Sequence, residues 1–292
     1  MQRRNFLLGA AAAALAGPAP CAPDERARDV ARIGLSPVFL DDQLAFLTAW
    51  RGYLQERLQR PIQFVQRRTY REIMDLLLAH KLEFAWICGY PYVRNRADLQ
   101  LVAVPLSNGQ PTYHSYLVVP ARDRETHSIL NLRGKVFAFS DPDSNSGFLY
   151  PNYWLLRLAE RPDAFFGRTF FTWGHRNTVE AIAAGLVHGG AVDSYVWETL
   201  KLLRPQLTAQ TRVAAISPAF GHTPFVARRG IPHGEWIALQ RVLNDMRATG
   251  DGARLLARLN LDGFVAGSDA LYDGIGQMML AMKGVPLNAP AA

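Results

Sequence analysis

The sequence predicts an α/β fold of two doubly wound lobes that face each other across a cleft. Three observations carry this expectation. Short β-rich runs end in turn residues and lead into amphipathic helical stretches, the grammar of parallel sheets covered by helices. That grammar runs through once and then starts again. The 292 residues suit two lobes of roughly 100–150 residues each. Apolar residues make up 49% and aromatic residues 11%, enough for a sizeable core and against a disordered chain.

In the first lobe, Val30–Leu35 reads as a strand. Asp41 or Asp42 caps a helix to Leu58, with Leu44, Leu47, Leu54 and Leu58 on one face. Ile62–Gln66 is the second strand, and Thr69 with Glu72 makes a capping box that opens a helix to His80. Phe84–Cys88 is the third strand, Leu101–Pro105 a fourth, and Tyr113–Val119 a candidate crossover.

The second lobe repeats the pattern. Val136–Ser140 is a strand followed by a loop through Gly147 and a helix to Leu158. Thr169–Trp173 is the next strand, and Asn177 with Glu180 caps a helix to Ala184. Gly190–Val192 is a short strand before Asp193 and a helix from Ser194. Val213–Ile216 and Pro224–Arg229 are strands that return to the first lobe, and Glu235–Ala248, Gly252–Asn260 and Asp269–Ala281 are helical. The division is a leader at 1–29, lobe 1 at 30–118, lobe 2 at 119–214, and a return segment at 215–292, with crossovers near Val119 and Ala215.

The leader has the charged start, short apolar run and small residues of a secretory signal. Arg3-Arg4-Asn5-Phe6-Leu7 resembles a twin-arginine signal, and Ala14-Leu15-Ala16 offers a cleavage site. Cys21 raises lipoprotein anchoring, which Pro20 before it opposes. The apolar run is too short to span a bilayer, which needs about 20 helical residues. The periplasm is the expected location. Cys21 and Cys88 are the two cysteines, so there is no disulfide framework. The net charge is +7, with the basic residues scattered rather than in runs. That fits a small anion better than nucleic acid.

In open parallel sheets, ligands bind outside the carboxyl ends of strands, where loops lead into helix N-termini. This rule selects Ser144, Asn145 and Ser146 after one strand, His175 after the next and Asp193 after the third. From the first lobe it selects Tyr70, Tyr90, Tyr92 and one of Arg67 or Arg68. The Ser-Asn-Ser-Gly run is the strongest of these. It adds hydroxyl and amide donors to the free N–H groups of a helix start, and Gly147 permits close backbone approach. Ser146 is also placed to cap the helix. His175 and Asp193 each have an alternative structural role, His175 as a satisfied corner residue and Asp193 as a helix cap. Beside an anion, Asp193 would take a protonated ligand oxygen, an ammonium or the His175 N–H.

These residues carry a resemblance. Asp141-Pro142-Asp143-Ser144-Asn145-Ser146-Gly147-Phe148 with Pro151 resembles the D-P-x-S-x-S-G-x-x-x-P signature of phosphonate/phosphite-binding periplasmic proteins. Gly174-His175, Ala181, Gly185 and Ala191-Val192-Asp193 match the next segments in order, and Phe84–Gly89 with Tyr92 is similar to a first-lobe segment. The resemblance spans about Val30 to Val265. It implies a type II periplasmic-binding fold, two doubly wound lobes joined by two crossover strands, closing on its ligand like a hinged clamp. It implies capture of phosphite, phosphate or a simple phosphonate by Ser144, Asn145, Ser146, His175, Tyr70 and Tyr92, with Asp193 taking a ligand proton or amine. It implies no cofactor and no metal, a monomer, and as partner an ABC permease or a membrane sensor kinase. Arg176-Asn177 stands where the family commonly has an acidic residue after its histidine, which puts aminoalkyl ligands in doubt. The segment around Cys88, Cys88-Gly89-Tyr90-Pro91-Tyr92, is similar to arsenite-sensing binding proteins that serve histidine kinases, in which a soft thiolate suits As(III).

A hydrolase using Ser146, His175 and Asp193 is a third reading, opposed by the lack of a G-x-S-x-G elbow. The seven histidines show no metal-ligand spacing.

Overall fold

The computed structural model describes residues 30–37 and 44–287. The N-terminal leader and the Asp41/Asp42 cap lie outside the described residues. The strands in chain order are β1 (Ala31–Leu35), β2 (Ile62–Gln66), β3 (Phe84–Trp86), β4 (Leu99–Leu106), β5 (Thr112–Tyr113), β6 (Ser115–Pro120), β7 (Val136–Phe139), β8 (Arg168–Phe171), β9 (Gly189–Asp193), β10 (Thr211–Ile216), β11 (Phe220–Gly221), β12 (Phe225–Arg228) and β13 (Gly263–Val265).

They form two mixed sheets and one two-stranded ribbon. The first has the order β13-β4-β12-β3-β1-β2 and the second β10-β6-β9-β7-β8. The doubly wound centres are parallel as expected: β1 pairs with β2 and β3, and β7 pairs with β8 and β9. Each sheet also takes in returning chain. β12 inserts antiparallel between β3 and β4, and β6 lies antiparallel between β9 and β10. Tyr113–Val119 and Val213–Ile216, expected as crossovers, fall mostly in β6 and β10, which are partners within the second sheet. The chain passes between sheets one step earlier and later, through the antiparallel ribbon of β5 and β11. β13, in the gap between two expected helices, pairs with β4 at the sheet edge. Its Gly-Phe-Val is too short to show a period.

The element starts follow local chemistry. Thr69 and Glu72 form the expected capping box of the helix Tyr70–Leu78. The helix Gly250–Leu259 is capped by Thr249 and ends at Asn260 in the left-handed conformation. The helix His175–Ala183 begins earlier than expected: Gly174 is its N-cap, and Asn177 instead donates its side-chain N–H to the Thr172 carbonyl.

The first lobe buries an aromatic centre. Trp86 packs against Phe225 at 5.0 Å and edge-on against Trp50 at 5.9 Å. The second lobe stacks Phe137 on Phe166 at 4.3 Å, with Phe139 edge-on to Phe148. Such pairs add roughly 0.5–1.5 kcal/mol each to the area they bury. Both cores therefore hold the carboxyl ends of β1, β3, β7 and β9 rigidly toward the opposite lobe. Among the described residues, no helix is long and apolar enough to cross a membrane.

Candidate functional site

The site is built around the loop after β7. Ser144 caps a turn of π-helix, Asn145–Leu149, through Gly147 N–H donating to its Oγ at 2.9 Å. The capping role expected of Ser146 thus belongs to Ser144. The motif's spacing has a physical reason. Pro151, at the start of the helix Tyr150–Arg157, has no N–H to give the carbonyl of Gly147 four residues back. That carbonyl accepts from Ser140 N–H at 3.3 Å, and the Ser146 carbonyl accepts from Ser115 Oγ at 2.7 Å. The turn is thereby stitched to β6 and β7. A Cβ on Gly147 would lie 1.5 Å from Ser140 Oγ, so only glycine fits.

The other elements converge on this turn. His175 opens its helix, and its Nδ1 accepts from Asp193 N–H at 3.1 Å. The ring proton is therefore on Nε2, which lies 3.4 Å from Ser144 Oγ. Burial pushes the imidazole down to about 3, so the ring is neutral. Asp193 ends β9 and caps the helix Ser194–Leu203 by accepting from Tyr195 N–H at 2.8 Å. Burial raises its carboxyl to about 7, against the lowering effect of backbone N–H donors. From the first lobe come Tyr70 and Cys88, both fully buried. Burial is the main reason both side chains stay protonated, and the Cys88 thiol is pushed up to about 11. Cys88 Sγ accepts from Asn145 N–H of the opposite lobe at 3.3 Å.

The helix starts at Tyr70, Asn145, His175 and Ser194 all face this buried space, so partial positive charge gathers there without a cation. Among the described residues, no Lys or Arg is buried. The +7 net charge does not enter the site. Asn145 Oδ1 is buried and has no hydrogen-bond partner, and the buried Ser146 hydroxyl has only the Tyr113 side chain beside it. Unpaired buried polar atoms are rare and costly.

The structure brings together Tyr70, Cys88, Ser144, Asn145, Ser146, His175 and Asp193 of the residues selected by sequence. Tyr92 is an exception. Its hydroxyl donates to Asp269, and its ring packs on Tyr272 at 4.9 Å and under Arg96. The strand-end position is as expected, but the side chain turns into the first lobe's own core. Arg67 and Arg68 are both exposed, so neither faces the cleft. Tyr113 was missed. It lies on the ribbon strand β5, where its hydroxyl accepts from Asn145 Nδ2 at 3.0 Å. A buried tyrosine on a two-residue strand carries no local signal in the sequence. The Ser146–His175–Asp193 arrangement does not form a catalytic relay. The Asp193 carboxylate holds Tyr195 N–H rather than the imidazole, and His175 Nε2 carries a proton toward Ser144, so it cannot take one from Ser146. Among the described residues, no group of three or more His, Cys, Asp or Glu could hold a metal ion.

Residues 33–272 match the family model described as ABC transporter, phosphonate, periplasmic substrate-binding protein. The chain belongs to this family. A phosphonates-binding periplasmic protein of Escherichia coli is 26% identical over 82% of this chain and 74% of its own length. The phosphate-import protein PhnD of Mycolicibacterium smegmatis is 27% identical over 50% of each chain. The solved structure of PhnD1 from Prochlorococcus marinus, in complex with methylphosphonate, superposes with a TM-score of 0.79 at 19% identity over 87% of this chain and 98% of that one. A binding-protein component of an ABC phosphonate transporter from Pseudomonas aeruginosa gives 0.80 at 22% identity over 88% and 87%. The relatives are binding proteins of ABC transporters, not enzymes, and the family is periplasmic.

Proposed function

We propose that this protein captures a small phosphorus oxyanion (methylphosphonate, phosphite or phosphate) between its lobes and hands it, as a monomer, to the permease of an ABC importer. The observation that carries this reading is the buried cluster of neutral polar groups around Asn145 Oδ1, which has no hydrogen-bond partner, with no buried cation among the described residues and with Asp193 poised to share a proton. The neutral donors of Tyr70, Ser144, Asn145, Ser146 and His175 take the ligand's oxygens. Asp193 accepts from a protonated one. A singly protonated phosphonate or phosphate meets this demand; sulfate, with no proton at neutral pH, does not.

Tyr92 stands outside this set, and Cys88 serves as a buried thiol hydrogen-bonded to the opposite lobe. A thiol held at about 11 does not supply the soft thiolate that an arsenite site needs. The ribbon of β5 and β11 is the hinge, so the first lobe is residues 30–113 with 220–287 and the second lies between. The Arg3-Arg4 start supports twin-arginine export.

The test is thermal stability of the mature protein with methylphosphonate, phosphite, phosphate, sulfate and arsenite. A ligand at about 100 times its Kd adds roughly 2.7 kcal/mol to the folded state. Shifts with the phosphorus anions and none with sulfate are expected. Arsenite alone acting, or no anion acting, would sink the reading.

A further inference from the structure

His222 is fully buried immediately after the hinge strand β11. Its backbone is committed to the hinge: the N–H donates to Pro111 O at 2.9 Å, and the carbonyl accepts from Tyr272 Oη at 2.8 Å. Its Nδ1 accepts from Thr223 N–H at 2.9 Å. Thr223 Oγ1, which accepts from Trp86 Nε1 at 3.0 Å, lies 2.9 Å from the same nitrogen and turns its own proton there. With Nδ1 occupied as an acceptor, the ring proton sits on Nε2. That N–H is buried and has no partner.

The imidazole lies beside two aromatic rings that belong to the cleft. The Tyr113 ring is 5.6 Å away, and its hydroxyl holds Asn145. The Tyr195 ring is 5.1 Å away, and its backbone N–H is held by Asp193. The unpartnered atoms Asn145 Oδ1 and His222 Nε2 thus sit on residues that flank Tyr113, whose hydroxyl side also meets Ser146. We infer that His222 is a ligand-contacting residue: its Nε2–H points into the cleft and donates to an oxygen of the bound anion, tying capture to the ribbon on which the lobes close. The inference rests on the oxyanion reading of the cleft. Burial holds this imidazole down at about 3, so the donor persists across ordinary pH. The same contact would reject a ligand that offers a donor group at this end, because two N–H groups would then face each other.

Two variants separate the ring's two nitrogens. His222→Asn keeps an acceptor for Thr223 N–H but cannot reach the Nε2 position; His222→Gln places an amide N–H near it. A hydrogen bond to a charged ligand is worth roughly 10- to 100-fold in affinity. Calorimetry with methylphosphonate and phosphate should show His222→Asn weakened by about that factor and His222→Gln within a few-fold of wild type. Equal affinity in wild type and a folded His222→Asn overturns the inference. Failure of wild type to bind either probe overturns the oxyanion reading instead. Nitrogen-15 imidazole NMR of the wild type needs no variant: the Nε2–H resonance of His222 should move downfield on adding methylphosphonate, and an unmoved resonance in a saturated complex also overturns the inference.

Discussion

The guanidinium of Arg71 in the first lobe closes on the carboxylate of Asp143 in the second, with Nε at 3.0 Å from Oδ2 and Nη2 at 3.3 Å from Oδ1. Arg94 adds a second first-lobe guanidinium at 2.7 Å. Beside them, Asp141 accepts from Tyr70 N–H at 3.2 Å, so a second-lobe carboxylate sits on the start of a first-lobe helix. The loop that carries the candidate site is therefore also the latch between lobes. Its two carboxylates differ. Burial raises Asp141 to about 6, whereas Arg94 and Arg71 outweigh burial and lower Asp143.

Asp143→Asn should open this latch without touching the cleft. Arg71 is 62% exposed and Arg94 33%, so each pair is screened and worth about 1 kcal/mol rather than several. Losing both shifts the lobe equilibrium toward open by roughly 10-fold or more. Small-angle scattering of the ligand-free variant should give a larger radius of gyration than wild type, and methylphosphonate should dissociate faster. An unchanged radius and an unchanged off-rate together would show that the latch does not govern closure.

The two serines of the turn should separate cleanly. Ser144 Oγ caps the turn, so Ser144→Ala should cost about 1 kcal/mol of stability by denaturant unfolding. Ser146 Oγ caps nothing and meets only the Tyr113 side chain, so Ser146→Ala should cost less stability than Ser144→Ala while weakening anion binding roughly 10-fold. If Ser146→Ala unfolds as readily as Ser144→Ala, the Ser146 hydroxyl serves the fold rather than a ligand.

The α/β alternation, the capping box at Thr69 and the Ser-Asn-Ser-Gly turn were all legible in the chain because each rests on a local rule of spacing. What was not legible was long-range. β6 and β12 read as generic β-rich runs, and only the three-dimensional pairing decides which sheet takes them. Tyr92 shows the limit within the site. Being at the carboxyl end of a strand predicts where a backbone lies, but one turn of the short helix Gly89–Arg94 aims its phenol at Asp269 instead of the cleft. Tyr113 and His222 sit on either side of the hinge ribbon, over a hundred positions apart, and no periodicity links them.

Cys88 offers a built-in probe of closure. Its thiol is buried, raised to about 11, and in contact with Asn145 of the opposite lobe. Reaction with an aromatic disulfide reagent at pH 8 should therefore be slow, paced by opening of the lobes. It should accelerate in Asp143→Asn and slow further with saturating methylphosphonate. A rate indifferent to both would mean that the reagent reaches Cys88 without lobe opening.

Asp193 should leave a signature in the pH dependence of stability. Its carboxyl titrates at about 7 when folded, against an ordinary value of 3.8. Between those values the folded chain keeps a proton that the unfolded chain releases, so this group's contribution falls as pH rises from about 4 to 7. Asp141, raised to about 6, acts in the same direction over a narrower range. His175 and His222 oppose them. Both are lowered to about 3 from 6.5, so the unfolded chain binds their protons first and stability rises with pH over that interval. The opposed slopes leave wild-type stability nearly level across this range. Asp193→Asn keeps the acceptor for Tyr195 N–H and removes one falling slope. Relative to wild type it should gain stability as pH rises from 4 to 8, by up to about 4 kcal/mol, since each pH unit between the ordinary and the folded value contributes about 1.4 kcal/mol. Urea unfolding of the two ligand-free proteins at several pH values reads this directly. A difference between them that does not grow with pH would mean that Asp193 is ionised in the folded cleft throughout this range, free to accept from a ligand O–H but holding no proton of its own to share.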